Sequence, residues 1–217
     1  MGRIDDLLAS SKELREIYEL VERAFYDSND FAHDFSHVRR VLENALEIGE
    51  KEKASLEEVI LAALLHDIKR PEEYRTGIDH AKEGSSFAFD LLLQKGYSIK
   101  TSAAVANAIR DHRYSSLREP EDVTGKILQD ADRLDAIGAI AIARVFTFAG
   151  KTGRPLHTTE EPHSSYNGFS ESAINHFHEK ILKIKPESFW TSTGRRLSRD
   201  RYDFTVAFVE RFMLEWR

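Results

Sequence analysis

Residues 56–68 read LEEVILAALLHDI and contain the longest uninterrupted apolar run of the chain. Apolar side chains on nearly every face predict a helix at the centre of the protein, and Pro71 is expected to end it. Two polar residues, His66 and Asp67, close the stretch. His66 lies seven, four and three residues after apolar ones, so it falls on an inward-facing side. A polar pair buried there needs hydrogen bonds or a ligand to compensate for the lost water.

Helical periodicity extends over almost the whole chain. Apolar residues recur three, four or seven positions apart, and no alternation typical of a strand persists. We expect helices over residues 4–25, from an N-cap at Ser36 onward, and over 56–68, 80–95, 99–112, 124–149 with a bend at Gly138, 170–184 and 195–216. The stretch 150–168 is rich in Thr, Ser, Pro and His and is the one long loop. The fold class is therefore all-α, a multi-helix bundle forming a single domain over residues 1–217.

The composition excludes several classes of protein. The 217 residues include no Cys, which excludes disulfides, thiolate chemistry and the usual structural zinc sites. A net charge of −6 is not typical of a protein that binds nucleic acid stably. Small phosphorylated ligands are still compatible with this charge, because they need only a few local cations. The run Val59–Leu65 is far shorter than the roughly 20 residues that span a bilayer. The N-terminus lacks an apolar signal core, so we expect a cytoplasmic protein without a membrane partner.

Other polar residues fall on the apolar faces of other predicted helices. His112 lies seven, four and three residues after apolar ones, and His80 opens a helix with an apolar stripe. His37 lies in the first turn of the second helix, and Asp132 has apolar neighbours four residues away on both sides. Taken singly, each such histidine is usually a hydrogen-bonded core residue, and an inward aspartate is more often a cap or a partner of arginine. Four inward histidines and two inward aspartates on five helices instead favour a shared metal ion, because burying them without compensation costs several kcal/mol each.

The segments around these residues have a recognisable order. They read DFSHVRRV, AALLHDIKR, DHAKEGSSFA, AIRDHRYS and KILQDADRLDAIGAIAIAR. This order resembles the HD-domain metal-dependent phosphohydrolase superfamily, and the resemblance covers a catalytic core of about residues 33–145. The full chain, with a loop over 150–168 and C-terminal helices over 170–216, looks most like a small bacterial single-domain branch. Members of that branch are associated with nucleoside triphosphate pyrophosphohydrolase activity.

The resemblance also implies roles for individual residues. It assigns one divalent ion to His37, His66, Asp67 and Asp132. It places His80 and His112 either at a second ion, with Asp67 bridging, or facing substrate phosphate or water. The mixed imidazole and carboxylate ligands suit Mn, Fe, Co, Ni or Zn, and Mg is a further candidate. The chain is expected to hold one or two such ions. Three cations adjoin ligands in sequence and are candidates for binding phosphate or, alternatively, are solvated surface residues: Lys69, Arg70 and Arg133.

The expected reaction is hydrolysis of (deoxy)nucleoside triphosphates to monophosphate and pyrophosphate by a metal-activated water. Relatives acting as 5′-nucleotidases carry an acid three residues after the motif aspartate, where this chain has Arg70. The alternatives are a 5′-nucleotidase or phosphodiesterase of the same superfamily, a di-iron oxygenase-like enzyme and a non-catalytic nucleotide sensor. The partner is a nucleotide substrate, and a homodimer remains open.

The remaining histidines are expected to stand outside the metal site. His33 and Asp34 form a second His-Asp pair in a turn, where a capping or surface role fits. Loop residues could close over substrate or belong to a mobile surface loop, namely His157, His163 and Tyr166. His176 and His178 match no motif and are expected on the surface.

Overall fold

The computed structural model describes residues 3–26, 34–113, 119–166 and 168–216. Throughout these ranges the regular structure is helical and contains no strand, which confirms the all-α fold class. The helices are α1 (Arg3–Ser10), α2 (Lys12–Ala24), α3 (Phe35–Lys51), α4 (Leu56–Leu65), α5 (Arg70–Thr76), α6 (His80–Gln94), α7 (Ile99–Asp111), α8 (Val123–Asp135), α9 (Ala139–Thr152), α10 (Ala173–Glu179) and α11 (Ser192–Glu215).

Contacts divide the described chain into two compact units. Those described residues that precede Arg133 form the first unit, and those from Arg133 onward form the second. The single domain over residues 1–217 stays a prediction. In the helices of both units that the structure describes, none is both long and apolar enough to cross a membrane.

The starts of α2 and α3 differ from the sequence-based expectation. The predicted helix over 4–25 is two helices, because Ser11 interrupts it and caps α2 by accepting a hydrogen bond from the amide of Leu14 at 3.2 Å. Helix α3 is capped by Asp34 rather than Ser36, since the Asp34 carboxylate accepts from the amide of His37 at 3.3 Å. Aspartate and serine are both good N-caps, so spacing alone does not choose between neighbours. The capping role expected for Asp34 is confirmed, and its partner His33 lies outside the described residues.

The end of α4 and the position of Pro71 also differ from expectation. Helix α4 ends at Leu65 rather than at residue 68, so His66 and Asp67 follow the helix. Pro71 does not end that helix; it lies in the first turn of α5, which the sequence analysis did not predict. Proline fits a first turn because the amide that it lacks has no intrahelical partner there.

The first unit packs around α4, whose residues from Val59 to Leu65 are all buried. Helices α3 and α7 lie against α4, and α6 lies against α7. Two hydrogen bonds anchor α8 to this group: Asn44 of α3 donates to the carbonyl of Ala131 at 3.1 Å, and Thr124 donates to Glu58 of α4 at 3.0 Å. The anchored helix carries Asp132, so the beginning of α3 and the end of α4 meet a carboxylate from α8.

In the second unit, the expected bend at Gly138 is a complete break. Helix α8 ends at Asp135 and α9 begins at Ala139. Gly138 has a φ of 86°, and a Cβ there would lie 3.1 Å from the Cβ of Arg201. Both the backbone conformation and the close approach therefore favour glycine.

The second unit closes around aromatic side chains. Phe146 of α9 contacts three phenylalanines, with ring centroids about 6 Å apart, namely Phe177, Phe208 and Phe212. The helix predicted over 170–184 is shorter, as α10 (Ala173–Glu179) followed by 3₁₀ turns at Ile181–Lys183 and Pro186–Ser188.

The predicted loop over 150–168 begins later, because α9 continues to Thr152. Its described residues are tied to α10: the amide of His163 donates to Glu179 at 2.9 Å. His157 lies edge-on to Trp216. His178 is exposed as expected, but His176 is not a surface residue; it is half-buried against the Tyr166 ring.

Candidate metal centre

Four helix ends of the first unit bring four histidines together. His66 directly follows α4 and His112 directly follows α7, whereas His80 is the first residue of α6 and His37 lies in the first turn of α3. Their exposed fractions are between 0% and 3%. The structure therefore buries the four histidines that the sequence analysis placed on inward faces.

Hydrogen bonds to the Nδ1 atoms orient three of these imidazoles. His66 Nδ1 lies 2.8 Å from the carbonyl oxygen of Ala63, and His112 Nδ1 lies 2.6 Å from that of Ile109. His80 Nδ1 lies 2.9 Å from a carboxylate oxygen of Glu73. Because these oxygens only accept hydrogen bonds, each Nδ1 is the donor, and the neutral form of each ring has its lone pair on Nε2. Such an arrangement is typical of histidines that ligate metals.

Asp67 lies between two groups of ligand-type atoms. Its Oδ2 is 3.7 Å from Nε2 of both His37 and His66. Its Oδ1 is 3.1 Å from Nε2 of His80 and 3.5 Å from Nε2 of His112. The two carboxylate oxygens therefore face different pairs of histidines, as a bridging ligand would.

Three groups in the described part of the first unit have the spacing of metal ligands; one consists of Glu73, Asp79 and His80, and the other two consist of residues that the sequence analysis singled out. Of these two, His37, His66 and Asp132 form the first, and Asp67, His80 and His112 form the second, each with ligand atoms within 4.8 Å of one another. Within the first group, Nε2 atoms of His37 and His66 are 3.4 Å apart, and Nε2 of His37 is 3.5 Å from Oδ1 of Asp132. Metal–nitrogen bonds of about 2.1 Å place adjacent ligands roughly 3.0–3.4 Å apart, so the donors fit a divalent ion.

Burial and neighbouring charges shift the pKa values of this cluster. Burial lowers the pKa of His66 to about 4, although the charge of Asp67 acts in the opposite direction. Burial alone would raise the pKa of Asp67 and of Asp132, but the adjacent histidines outweigh it and hold both below the usual value. Burial would lower the pKa of His112, but the hydrogen bond and charge of Asp67 raise it. Ionised carboxylates beside a neutral His66 are the protonation states that metal ligation needs.

Arg70 is the predicted cation that reaches this cluster. Its Nη1 lies 3.3 Å from Nε2 of His80, and its Nε lies 3.7 Å from a carboxylate oxygen of Glu73. The side chain is 21% exposed, so the guanidinium lies at the edge of the buried cluster.

The other two predicted cations make different contacts. Lys69 pairs with Glu72 at 2.7 Å and lies over the Phe87 ring, with its Nζ 4.9 Å from the centroid. Arg133 belongs to the second unit and donates to the carbonyl of Ser188 at 2.6 Å. Lys69 and Arg133 as phosphate-binding residues stay a prediction.

Glu73 is a site residue that the sequence analysis missed. Besides His80 and Arg70 it contacts Arg113, whose Nη1 lies 3.2 Å from Oε1 of Glu73. Burial opposes ionisation of Glu73, but the hydrogen bond from His80 and the charges of the two arginines lower its pKa. The sequence does show an acidic residue three positions after Arg70. On a helix these two side chains are neighbours, but that inference requires α5, which the sequence analysis did not predict.

Comparisons with known proteins agree with this arrangement. The family model of the HD domain matches residues 34–137. YpgQ of Bacillus subtilis is 37% identical over 206 residues, covering 91% of this chain and 91% of its own length. Its crystal structure in complex with ADP has a TM-score of 0.72 and 32% identity, covering 94% of this chain and 97% of that one.

A second crystal structure has higher identity. It is of a predicted HD superfamily hydrolase from an uncultured Thermotogales bacterium, with 44% identity, full coverage of both chains and a TM-score of 0.73. The likeness thus extends along the whole chain and beyond the stretch that carries the ligands. The chain therefore belongs to the HD-domain superfamily of metal-dependent phosphohydrolases.

Proposed function

We propose that this protein hydrolyses (deoxy)nucleoside triphosphates to the monophosphate and pyrophosphate with the help of a divalent ion. The observation that carries the proposal is the position of Arg70, whose guanidinium lies beside His80 at the edge of the ligand cluster. A nucleotidase-like relative would carry an acid at this place. A cation there favours a substrate with several negative charges over a monophosphate.

The proposed site residues fall into two roles. His37, His66, Asp67 and Asp132 hold the ion, and Asp132, at 27% side-chain exposure, is the most accessible of these four ligands. A divalent ion in that position supplies Lewis-acid activation of a water and of a phosphate oxygen. Arg70 binds the phosphate tail, and Glu73 orients both Arg70 and the ring of His80.

Nucleotide binding by a relative supports the substrate class. B. subtilis YpgQ has been crystallised in complex with ADP, a nucleotide with a phosphate chain. We propose a nucleotide as the partner here and Mn²⁺ as the ion with which to test it, since the mixed imidazole and carboxylate set accepts it. A cytoplasmic location and a homodimer stay predictions.

The test is identification of products. Purified protein is incubated with a panel of dNTPs, NTPs and monophosphates in the presence of Mn²⁺, and products are separated by anion-exchange chromatography. We expect monophosphate and pyrophosphate in equal amounts, and none when a chelator is added. Orthophosphate and free nucleoside without pyrophosphate would overturn the proposal and restore the nucleotidase alternative. Two irons per purified chain, with no hydrolysis, would favour the oxygenase alternative.

A further inference from the structure

Two imidazole nitrogens lie close to Asp67 Oδ1. His80 Nε2 lies 3.1 Å from this oxygen and 3.4 Å from His112 Nε2. Both rings use Nδ1 as a donor elsewhere, so Nε2 is the atom that each ring turns toward Asp67. Asp67 Oδ1 is itself buried. A buried carboxylate with two imidazoles beside it needs positive charge or hydrogen-bond donors nearby.

Arg70 brings that positive charge. Its Nη1 lies 3.3 Å from His80 Nε2, and a guanidinium can only donate hydrogen bonds. The N–H of Arg70 is therefore directed at the lone pair that a metal ion in the second group would need. Because one lone pair cannot serve both, the arginine and a second ion are alternatives for His80.

Contacts with Glu73 hold Arg70 in its position. Glu73 lies one helical turn further along α5, with Oε2 3.7 Å from Arg70 Nε and 2.9 Å from His80 Nδ1. Its other oxygen lies 3.2 Å from Arg113 Nη1, and the same Nη1 lies 3.2 Å from Asp79, the N-cap of α6. Glu73 thus fixes the positions of the Arg70 guanidinium and the His80 ring. Arg113 links α5 to the start of α6.

We propose that Arg70 determines how many metal ions this chain holds. Its guanidinium takes the place of a second divalent ion at Asp67, His80 and His112, so one ion binds tightly at His37, His66, Asp67 and Asp132. The inference rests on the metal centre and not on the identity of the substrate.

Metal content tests the proposal without an activity measurement. Full-length protein is stripped with a chelator and titrated with Mn²⁺ by calorimetry, and bound metal is counted by mass spectrometry after gel filtration. We expect one tight site in the unmodified protein and two in Arg70→Met, with affinity for the second ion at least about tenfold higher than before. The matched control is Arg75→Met, which removes an exposed arginine from the same helix and should leave one tight site.

A double variant locates the second ion. Arg70→Met combined with His80→Ala should return the count to one. Arg70→Lys keeps the positive charge but lacks the planar guanidinium, and it should still bind one ion per chain. Electron paramagnetic resonance should show exchange-coupled Mn²⁺ pairs in Arg70→Met alone.

Two results would overturn the inference. One is two sites of similar affinity in the unmodified protein, a measurement that needs no variant. The other is a count of one in Arg70→Met and in Arg70→Gln when their circular dichroism is unchanged. Failure of the proposed function is a separate outcome, because orthophosphate among the products would not alter the metal count.

Discussion

Replacing Asp67 by Asn should remove metal binding while leaving the fold in place. Asp67 contacts both ligand groups, with Oδ2 3.7 Å from His37 and His66 and Oδ1 3.1 Å from His80. Asparagine keeps the shape of the side chain but loses its negative charge. Without metal the variant should be less stable than the metal-free parent, because the neighbouring histidines outweigh burial, hold the pKa of Asp67 below its usual value and so favour the ionised carboxylate in the folded state.

The size of the effect follows from linkage between binding and folding. An ion at a hundred times its dissociation constant stabilises the native state by about 2.7 kcal/mol. For a chain of this length that raises Tm by about 5–11 °C. Loss of an outer-shell partner already weakens metal binding about 10–100-fold, so loss of a direct ligand should weaken it at least about a hundredfold. At the same Mn²⁺ concentration the variant would then gain only about 0.4 kcal/mol, or roughly 1–2 °C.

Scanning calorimetry with and without Mn²⁺, together with a metal count, measures both quantities. Asp90→Asn is a suitable control because Asp90 is an exposed aspartate on α6. His33→Ala tests the second His-Asp pair and should leave metal binding and activity nearly intact. An Asp67→Asn protein that keeps its ion and its full thermal shift would refute the assignment. Equal damage from His33→Ala would mean that the wrong pair had been chosen.

Three further predictions concern other residues. Replacing both His80 and His112 by Ala should leave one tightly bound ion per chain, and a fall from two ions to one would instead assign them as ligands. Arg70→Glu should raise KM for a triphosphate by about tenfold or more with a smaller change in kcat, since a charge-assisted hydrogen bond contributes about 1.5–3 kcal/mol; steady-state kinetics would contradict this if only kcat fell. Burial lowers the pKa of His176 to about 3, below its unfolded value of about 6.5, so the unfolded chain binds more protons between these pH values and stability falls as pH drops through that window. The loss is at most about 1.4 kcal/mol per pH unit, and urea unfolding at pH 7 and pH 5 in a chelator should show a flatter pH dependence for His176→Gln.

The inward histidines were predictable because helical spacing is a local property. Val59, Ala62 and Ala63 share a face with His66 whatever the rest of the chain does, and the structure buries all four. The exact caps were less predictable, since Asp34 and Ser36 are two residues apart and both are good N-cap residues. The choice depends on where the following helix packs, which local sequence does not determine.

Helix α5 shows what local patterns could not reveal. Proline ends a helix when it falls in the interior and begins one when it falls in the first turn, so Pro71 fits both interpretations. The contacts that decide between them are tertiary: Glu73 with His80, and Glu73 with Arg113. The same helix explains why Lys69 and Arg70, adjacent in sequence, have different partners. Lys69 precedes α5 and pairs with Glu72, whereas Arg70 is the first residue of the helix and reaches His80.

The two histidines that follow α4 and α7 each make a hydrogen bond that both caps a helix and orients the imidazole ring. A helix leaves its last carbonyls without intrahelical partners. His66 Nδ1 satisfies the carbonyl of Ala63 at the end of α4, and His112 Nδ1 satisfies that of Ile109 at the end of α7. Each bond also holds a proton on Nδ1 and turns Nε2 toward Asp67. A substitution at either position therefore removes a helix cap, and at His66 it also removes a proposed ligand, so stability and metal affinity are expected to change together at the end of α4.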